Sequence, residues 1–146
     1  MVKVLIKKLD KDLELPNYKT IGSSGLDLKA SIKKIVNIKP KEKEIIPTGI
    51  SVAIPVEYEI QIRPRSGLSA KNNISILNTP GTIDADYRGE IKIILSNLSH
   101  KPFHIKKGDR IAQMIIAPYE RIDWKDVDSL DKTKRGSGGL GSTGKK

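Results

Sequence analysis

Asp84 and Asp86 stand two residues apart in the segment GTIDADYRGE, residues 81–90. On a strand, residues i and i+2 share a face, but Ala85 to Gly89 reads as a tight turn. A carboxylate held near a phosphate can orient and deprotonate a water molecule. Asp86 and Gly89 suit a hairpin, since Asp tolerates turn geometry and Gly supplies a positive φ. The expectation is a chemical Asp84 beside a structural Asp86. The segment RPRSGLS, residues 63–69, places Ser66 and Gly67 after Arg65. Successive backbone N–H groups there can form an anion-binding nest, with the guanidinium and the hydroxyl as further donors. A plain Ser-Gly turn fits the same residues.

Other segments carry less chemistry on their own. GDRIAQM, residues 108–114, offers the amide of Gln113 as a donor to phosphate, or simply a turn leading into a core strand. RGSGGLGSTG, residues 135–144, is rich in glycine but lacks the GK[ST] ending and a following helix, so it is no P-loop. A flexible tail is its plainer reading. His100 and His104 flank Pro102 in strand-like sequence with no carboxylate at metal spacing, and read as loop and strand residues. No GxSxG-type nucleophile motif is present.

The elements that must position these groups are strands. Apolar residues alternate at Val2, Val4 and Ile6, at Ile50, Val52 and Ile54, at Tyr58, Ile60 and Ile62, and at Ile91, Ile93 and Leu95. The run RIAQMIIAP is apolar on both faces, which predicts a strand buried on two sides. Turn signals separate the strands at Gly22, Pro40, Thr48-Gly49, Pro80-Gly81 and Gly108. One short helix is predicted from about Ser66 to Lys71. Many short strands at this spacing predict an all-β sandwich, jelly roll or barrel.

The length of 146 residues suits one domain that needs no staples. The absence of cysteine excludes disulfides and thiolate metal sites and fits a reducing compartment. The N-terminus does not read as a signal peptide, and no apolar run reaches the ~20 residues of a membrane span. A cytoplasmic protein without membrane attachment is therefore the expectation. The net charge of +10 favours polyanionic partners, or a solvated lysine surface. At 4% aromatics, a stacking surface for single-stranded nucleic acid is disfavoured. From about Pro118 the chain turns polar and then glycine-rich, which predicts an extended arm with Trp124 as an apolar anchor. That anchor suits its own domain and a neighbouring subunit equally well.

Taken in order, the segments resemble the five motifs of the trimeric dUTP pyrophosphatase (dUTPase) family. SSGLDLKA (23–30), RPRSGLS (63–69), ILNTPGTIDADYRGEIK (76–92), GDRIAQM (108–114) and RGSGGLGSTG (135–144) are the counterparts, with PTGI (47–50) between the first two. The resemblance implies a distorted jelly-roll, or β-clip, subunit over residues 1–118 and a C-terminal arm over 119–146. It implies a homotrimer whose three active sites lie between subunits, and hydrolysis of dUTP to dUMP and diphosphate with Mg²⁺ on the triphosphate. That activity limits uracil in DNA and supplies dUMP for thymidylate synthesis. By the same resemblance, Arg65, Ser66, Gly67 and Gln113 bind phosphate and Asn78 bonds the uracil edge. Thr82 and Ile83 run along the nucleoside, Asp84 activates water, and Tyr87 stacks on deoxyribose. Lys92 touches substrate, Asp27 stands near metal-bound waters, and Arg135, Gly139 and Leu140 belong to the closing arm.

One position departs from the family. A Phe usually covers the uracil where this chain has Leu140. Base–aromatic stacking contributes ~1–3 kcal/mol per base, and leucine recovers part of that by burial. Looser arm closure and a raised KM are expected, with Asp84 chemistry intact. Two rival readings are a dCTP deaminase, which needs a pocket carboxylate such as Glu90 as base, and a nucleic-acid-binding module suggested by the charge.

Overall fold

Isoleucine dominates the buried residues, and β-branched side chains favour the pleated, half-covered surface of a strand. The computed structural model describes residues 1–140 and 142. Its strands are β1 (Leu5–Lys8), β2 (Leu26–Lys29), β3 (Val36–Ile38), β4 (Lys43–Pro47), β5 (Ile50–Ala53) and β6 (Tyr58–Arg63). The helix α1 (Ser66–Asn72) follows, then β7 (Ile74–Ile76), β8 (Gly81–Ile83), β9 (Lys92–Asn97), β10 (Phe103–Ile105) and β11 (Arg110–Pro118). All pairings are antiparallel: β2-β11-β6-β8, β4-β9-β7, β1-β5 and β3-β10.

The alternation in β5, β6 and β9 sends Ile50, Val52, Ile60, Ile62, Ile93 and Leu95 into one core with Ile38, Ile74 and Ile105. Each such side chain contributes about 1.5–3 kcal/mol on leaving water. Asn97 is buried in that core with its amide fully used. Its Nδ2 donates to Ile38 O at 2.9 Å and Lys101 O at 2.8 Å, and its Oδ1 accepts from Ser99 N and Oγ. β9 is thereby tied to β3 and to the turn before β10.

Two expectations change. The strand β11 is buried on both faces only at its start, where a register shift between Arg110 and Ala112 puts Ile111 and Ala112 inside together. Beyond Met114, Ile115 to Ala117 are half-buried. At the N-terminus Val4 packs against the core, but Ile6 stays exposed because β1 pairs with β5 alone. After Pro118 the described residues contain no strand or helix. Trp124 is 84% exposed, so it does not pack on its own domain.

The PTGI turn is built into this frame. Gly49 adopts φ +71°, and a Cβ there would meet Asp10 Cβ at 2.7 Å. Thr48 Oγ1 donates to Ile91 O at 2.7 Å, and Gly49 N donates to the Glu90 carboxylate at 2.8 Å. The end of the Asp84 segment is thus fastened to the β4–β5 turn.

Candidate active site

Asp27 on β2, Gln113 on β11 and Arg63 on β6 form one cross-strand row, since Gln113 is registered with both of the others. Asp27 is clamped by two arginines. Arg65 Nε reaches its Oδ1 at 2.8 Å, and Arg110 NH1 reaches its Oδ2 at 2.9 Å. Arg65 lies just before α1, so the same residue that pairs with Asp27 brings Ser66 and Gly67 to the row. The first N–H groups of a helix lack intrahelical acceptors, and a Cβ on Gly67 would meet nothing within 4 Å. Gln113 Nε2 donates to Pro64 O at 2.9 Å, which leaves the second amide hydrogen available. Gly25 is needed here, because a Cβ would stand 2.7 Å from Gln113 Oε1. Of these groups, Arg63, Ser66 and Gln113 line a concavity of about 490 Å³, together with Gln61, Thr79 and Pro80.

A second group lies further along the sheet. β8 is an edge strand, paired with β6 on one side only, while β7 is an edge of the other sheet. The two limbs of 74–83 therefore splay, and the free edge of β8 offers backbone donors and acceptors. Thr82 is exposed and Ile83 half-buried on that edge. Asn78 is exposed, with its amide nitrogen 3.2 Å from where a Gly81 Cβ would stand. Asp84 follows β8, exposed, in a concavity of about 480 Å³ shared with Val56, Asp86, Arg88, Tyr119 and Arg121. Among the described residues its carboxylate receives no hydrogen bond and joins no ion pair.

The turn at Asp84 differs from the expected hairpin. Tyr87 N bonds Asp84 O at 3.2 Å, so Ala85 and Asp86 are the centre of a β-turn. The chain then crosses from one sheet to the other, because β8 pairs with β6 and β9 with β4 and β7. Asp86 thus serves a β-turn and not a hairpin. Gly89 does not take a positive φ either. It is required for space: the Tyr87 ring lies over it, where any Cβ would overlap the ring, and Tyr87 Oη donates to Glu90 O at 3.0 Å. Lys92 opens β9, exposed and registered with Pro47.

The family model described as dUTPase matches residues 11–144. The chain belongs to the dUTPase family. It is 57% identical over 145 residues to the deoxyuridine 5'-triphosphate nucleotidohydrolase of Rickettsia bellii, covering 99% of this chain and 97% of that one. The Fusobacterium nucleatum protein of the same name is 49% identical over 146 residues, covering 99% and 100%. Among solved structures, the dUTPase of Staphylococcus bacteriophage 80alpha with dUPNHPP superposes at TM-score 0.87 with 28% identity, over 97% of this chain and 98% of that one. The jelly-roll-like β fold of dUTPases is the fold of this chain.

Within the dUTPase motifs, the structure joins the first, second and fourth around Asp27; the third reaches their concavity through Thr79 and Pro80, while its Asp84 end lines a separate one. The described residues at the glycine-rich end of the dUTPase arm meet neither group: Arg135 Nε donates to Gly138 O at 2.8 Å within its own turn, Leu140 is wholly exposed, and a Cβ on Gly139 would meet nothing within 4 Å. The remainder of the fifth motif, at 141, 143 and 144, lies outside the described residues. Arg110 was missed from sequence, although it sits in GDRIAQM one residue after Asp109. A cation three positions before the Gln113 amide was the available signal. Among the described residues no cluster of three carboxylate or histidine side chains forms a metal cage.

Proposed function

We propose that this protein hydrolyses dUTP to dUMP and diphosphate, with Asp84 as the base. The carrying observation is an exposed, unpaired carboxylate on a backbone edge able to read a base, in a chain that also builds a separate arginine, hydroxyl and amide cluster suited to phosphate. Asp84 takes a proton from water, and the water oxygen bonds to the α-phosphorus. The bond from that phosphorus to the α,β-bridging oxygen breaks, and diphosphate leaves. Arg65, Ser66, Gly67 and Gln113 hold the phosphates. Asn78 with Thr82 and Ile83 reads uracil, Tyr87 supports the deoxyribose where a 2′-hydroxyl must otherwise go, and Lys92 touches the substrate.

The site is shared between subunits of a homotrimer in this reading. If the β6–β8 register continues, Asp84 falls beside Glu59, four residues from Arg63, or ~13 Å along β6 at ~3.3 Å per residue. A base must lie within hydrogen-bond reach of the water it deprotonates. Within one chain, Asp84 and the Gln113 row are too far apart to act on one phosphorus, so phosphate donors from one subunit and Asp84 from another complete each site. Exposed Leu5, Ile45, Trp124 and Leu130 supply apolar surface for such contacts. The arm with Arg135, Gly139 and Leu140 closes over the base.

Mg²⁺ fits this donor set as a passenger of the triphosphate. Asp27 spends one lone pair of each oxygen on an arginine, and a carboxylate offers about four, so it can still accept a metal-bound water. When bound, Mg²⁺ neutralises charge developing on the phosphate oxygens. Glu90, the candidate deaminase base, holds the Gly49 N–H on its Oε1 at 2.8 Å, which gives it a structural role at the β4–β5 turn. No helix among the described residues is long and apolar enough to cross a membrane, and we place the activity in the cytoplasm with no stable nucleic-acid partner. A diphosphate-release assay with dUTP and Mg²⁺ tests the proposal. Ammonia release from dCTP, or DNA binding without diphosphate release, would sink it.

A further inference from the structure

Along the outward face of β6, Glu59, Gln61 and Arg63 stand at i, i+2 and i+4 and touch in series. Gln61 Nε2 donates to Glu59 Oε1 at 2.6 Å. Arg63 donates from both Nε and NH2 to Gln61 Oε1. The amide has one possible orientation between these neighbours: a carboxylate only accepts and a guanidinium only donates. Glu59 therefore sets the Gln61 amide, and Gln61 holds the Arg63 fork. The fork lines the concavity that also contains Ser66 and Gln113.

The charges in this row are unevenly matched. Asp27 answers Arg65 and Arg110, one oxygen each. Among the described residues, Arg63 joins no carboxylate. Arg65 and Arg110 share the single charge of Asp27, whereas Arg63 has no ion-pair partner among the described residues, and a neutral carbonyl orients it without cancelling its charge. A guanidinium fork matches phosphate oxygens.

We propose that Arg63 is a substrate-binding residue for the β,γ-diphosphate portion of the nucleotide, and that Gln61 and Glu59 are positioning residues for it. This rests on the dUTP reading above and gives a role to Arg63, which lies in the matched segment 63–69 but has none of the roles that the resemblance implies. The test is calorimetric titration of the intact protein with α,β-imido-dUTP and, separately, with dUMP, which shares base, sugar and one phosphate. Arg63→Met is expected to weaken the imido analogue roughly tenfold, the scale of one charge-assisted hydrogen bond at a partly exposed site, and dUMP less than about twofold. In turnover the same variant raises KM for dUTP with kcat changed much less. Arg63→Lys keeps the charge without the fork and falls between. Glu59→Gln frees the Gln61 amide to flip and gives a smaller loss for the analogue alone. Equal losses for both ligands, or no loss for either, overturn the assignment and leave the ladder as strand support. If the parent protein releases no diphosphate from dUTP, the broader reading fails and takes this one with it. Normal turnover with unchanged analogue affinity in Arg63→Met removes this inference alone.

Discussion

The row around Asp27 and the turn at Asp84 are built on opposite principles. Asp27 sits under two arginines on β2, with Gln113 seated over Gly25 and bonded to Pro64. That half is complete before any ligand arrives, which suits binding, since preorganised donors lose little on engagement. Asp84 is exposed on an edge, in a turn held by the Arg88 guanidinium on Ala85 O and Tyr87 O. Among the described residues its carboxylate is left uncommitted, as the proposed base must be. In the proposed reading, binding machinery is internal to one chain, whereas reactive machinery waits for a surface to close on it.

The sharpest break of this contrast is Asp84→Asn. Loss of a general base costs roughly 10²–10⁴ in rate, and the amide is nearly the same size, so kcat falls on that scale while KM and the melting temperature hardly move. Near-normal turnover in steady-state assays would remove Asp84 from its role. Asp27→Asn tests the other half. It leaves Arg65 and Arg110 facing each other across a neutral amide, in a setting where ion-pair partners are only partly solvent-screened. KM for dUTP is expected to rise about tenfold or more with a smaller change in kcat, the reverse of the Asp84 pattern. If both variants lower kcat alike, the division into binding and reactive halves is wrong.

Much of this division was legible in the sequence, and the failures are instructive. The strands follow from period-2 isoleucines, and α1 from the Ser-Gly start after Pro64. The pairing of Arg110 with Asp27 was not legible, because it joins residues 83 apart in sequence and depends on the β2–β11 register. Gly89 was read as a turn residue because φ and free space are indistinguishable reasons for glycine until the Tyr87 ring is placed. The β8–β9 hairpin failed for a related cause: a tight turn signal states that the chain bends, not which sheet it joins next. Asn97, an unremarked polar residue in an apolar strand, is the buried tie between β9 and β3, and only its four bonds identify it.

Leu140→Phe probes the glycine-rich end of the arm, whose described residues touch neither half in the isolated chain. Leu140 stands exposed at φ +48°, a backbone conformation equally strained for either side chain. The substitution therefore changes the cover over the base and little else. Stacking is worth ~1–3 kcal/mol per base, of which leucine already supplies part, so KM should fall several-fold with kcat steady. An unchanged KM in steady-state assays would show that the arm does not cover the base through this residue.

The smallest effect concerns the frame that holds the Asp84 segment. Asp10 accepts from Ser31 Oγ at 2.8 Å and from Lys107 Nζ at 3.0 Å, while Leu9 and Asp10 N–H groups bond Gly49 O. The Ser31 hydroxyl, then Lys107, hold the Asp10 carboxyl below its ordinary value of 3.8. Asp12 and Asp10 hold the Lys107 ammonium above its ordinary 10.5. A lowered carboxyl contributes stability that is present above 3.8 and lost as pH falls through the folded value. A raised ammonium contributes stability that is present below 10.5 and lost as pH rises through its folded value. The tie is therefore whole across the neutral range and loosens at both extremes. Asp10→Asn should lower the melting temperature slightly at pH 7, and the gap to the parent should close as pH falls from 3.8 through the lower folded value, beneath which both carry a neutral group. A gap that stays constant through the acid range in thermal melts would show that the Ser31 and backbone contacts, and not the carboxylate charge, secure the Gly49 turn.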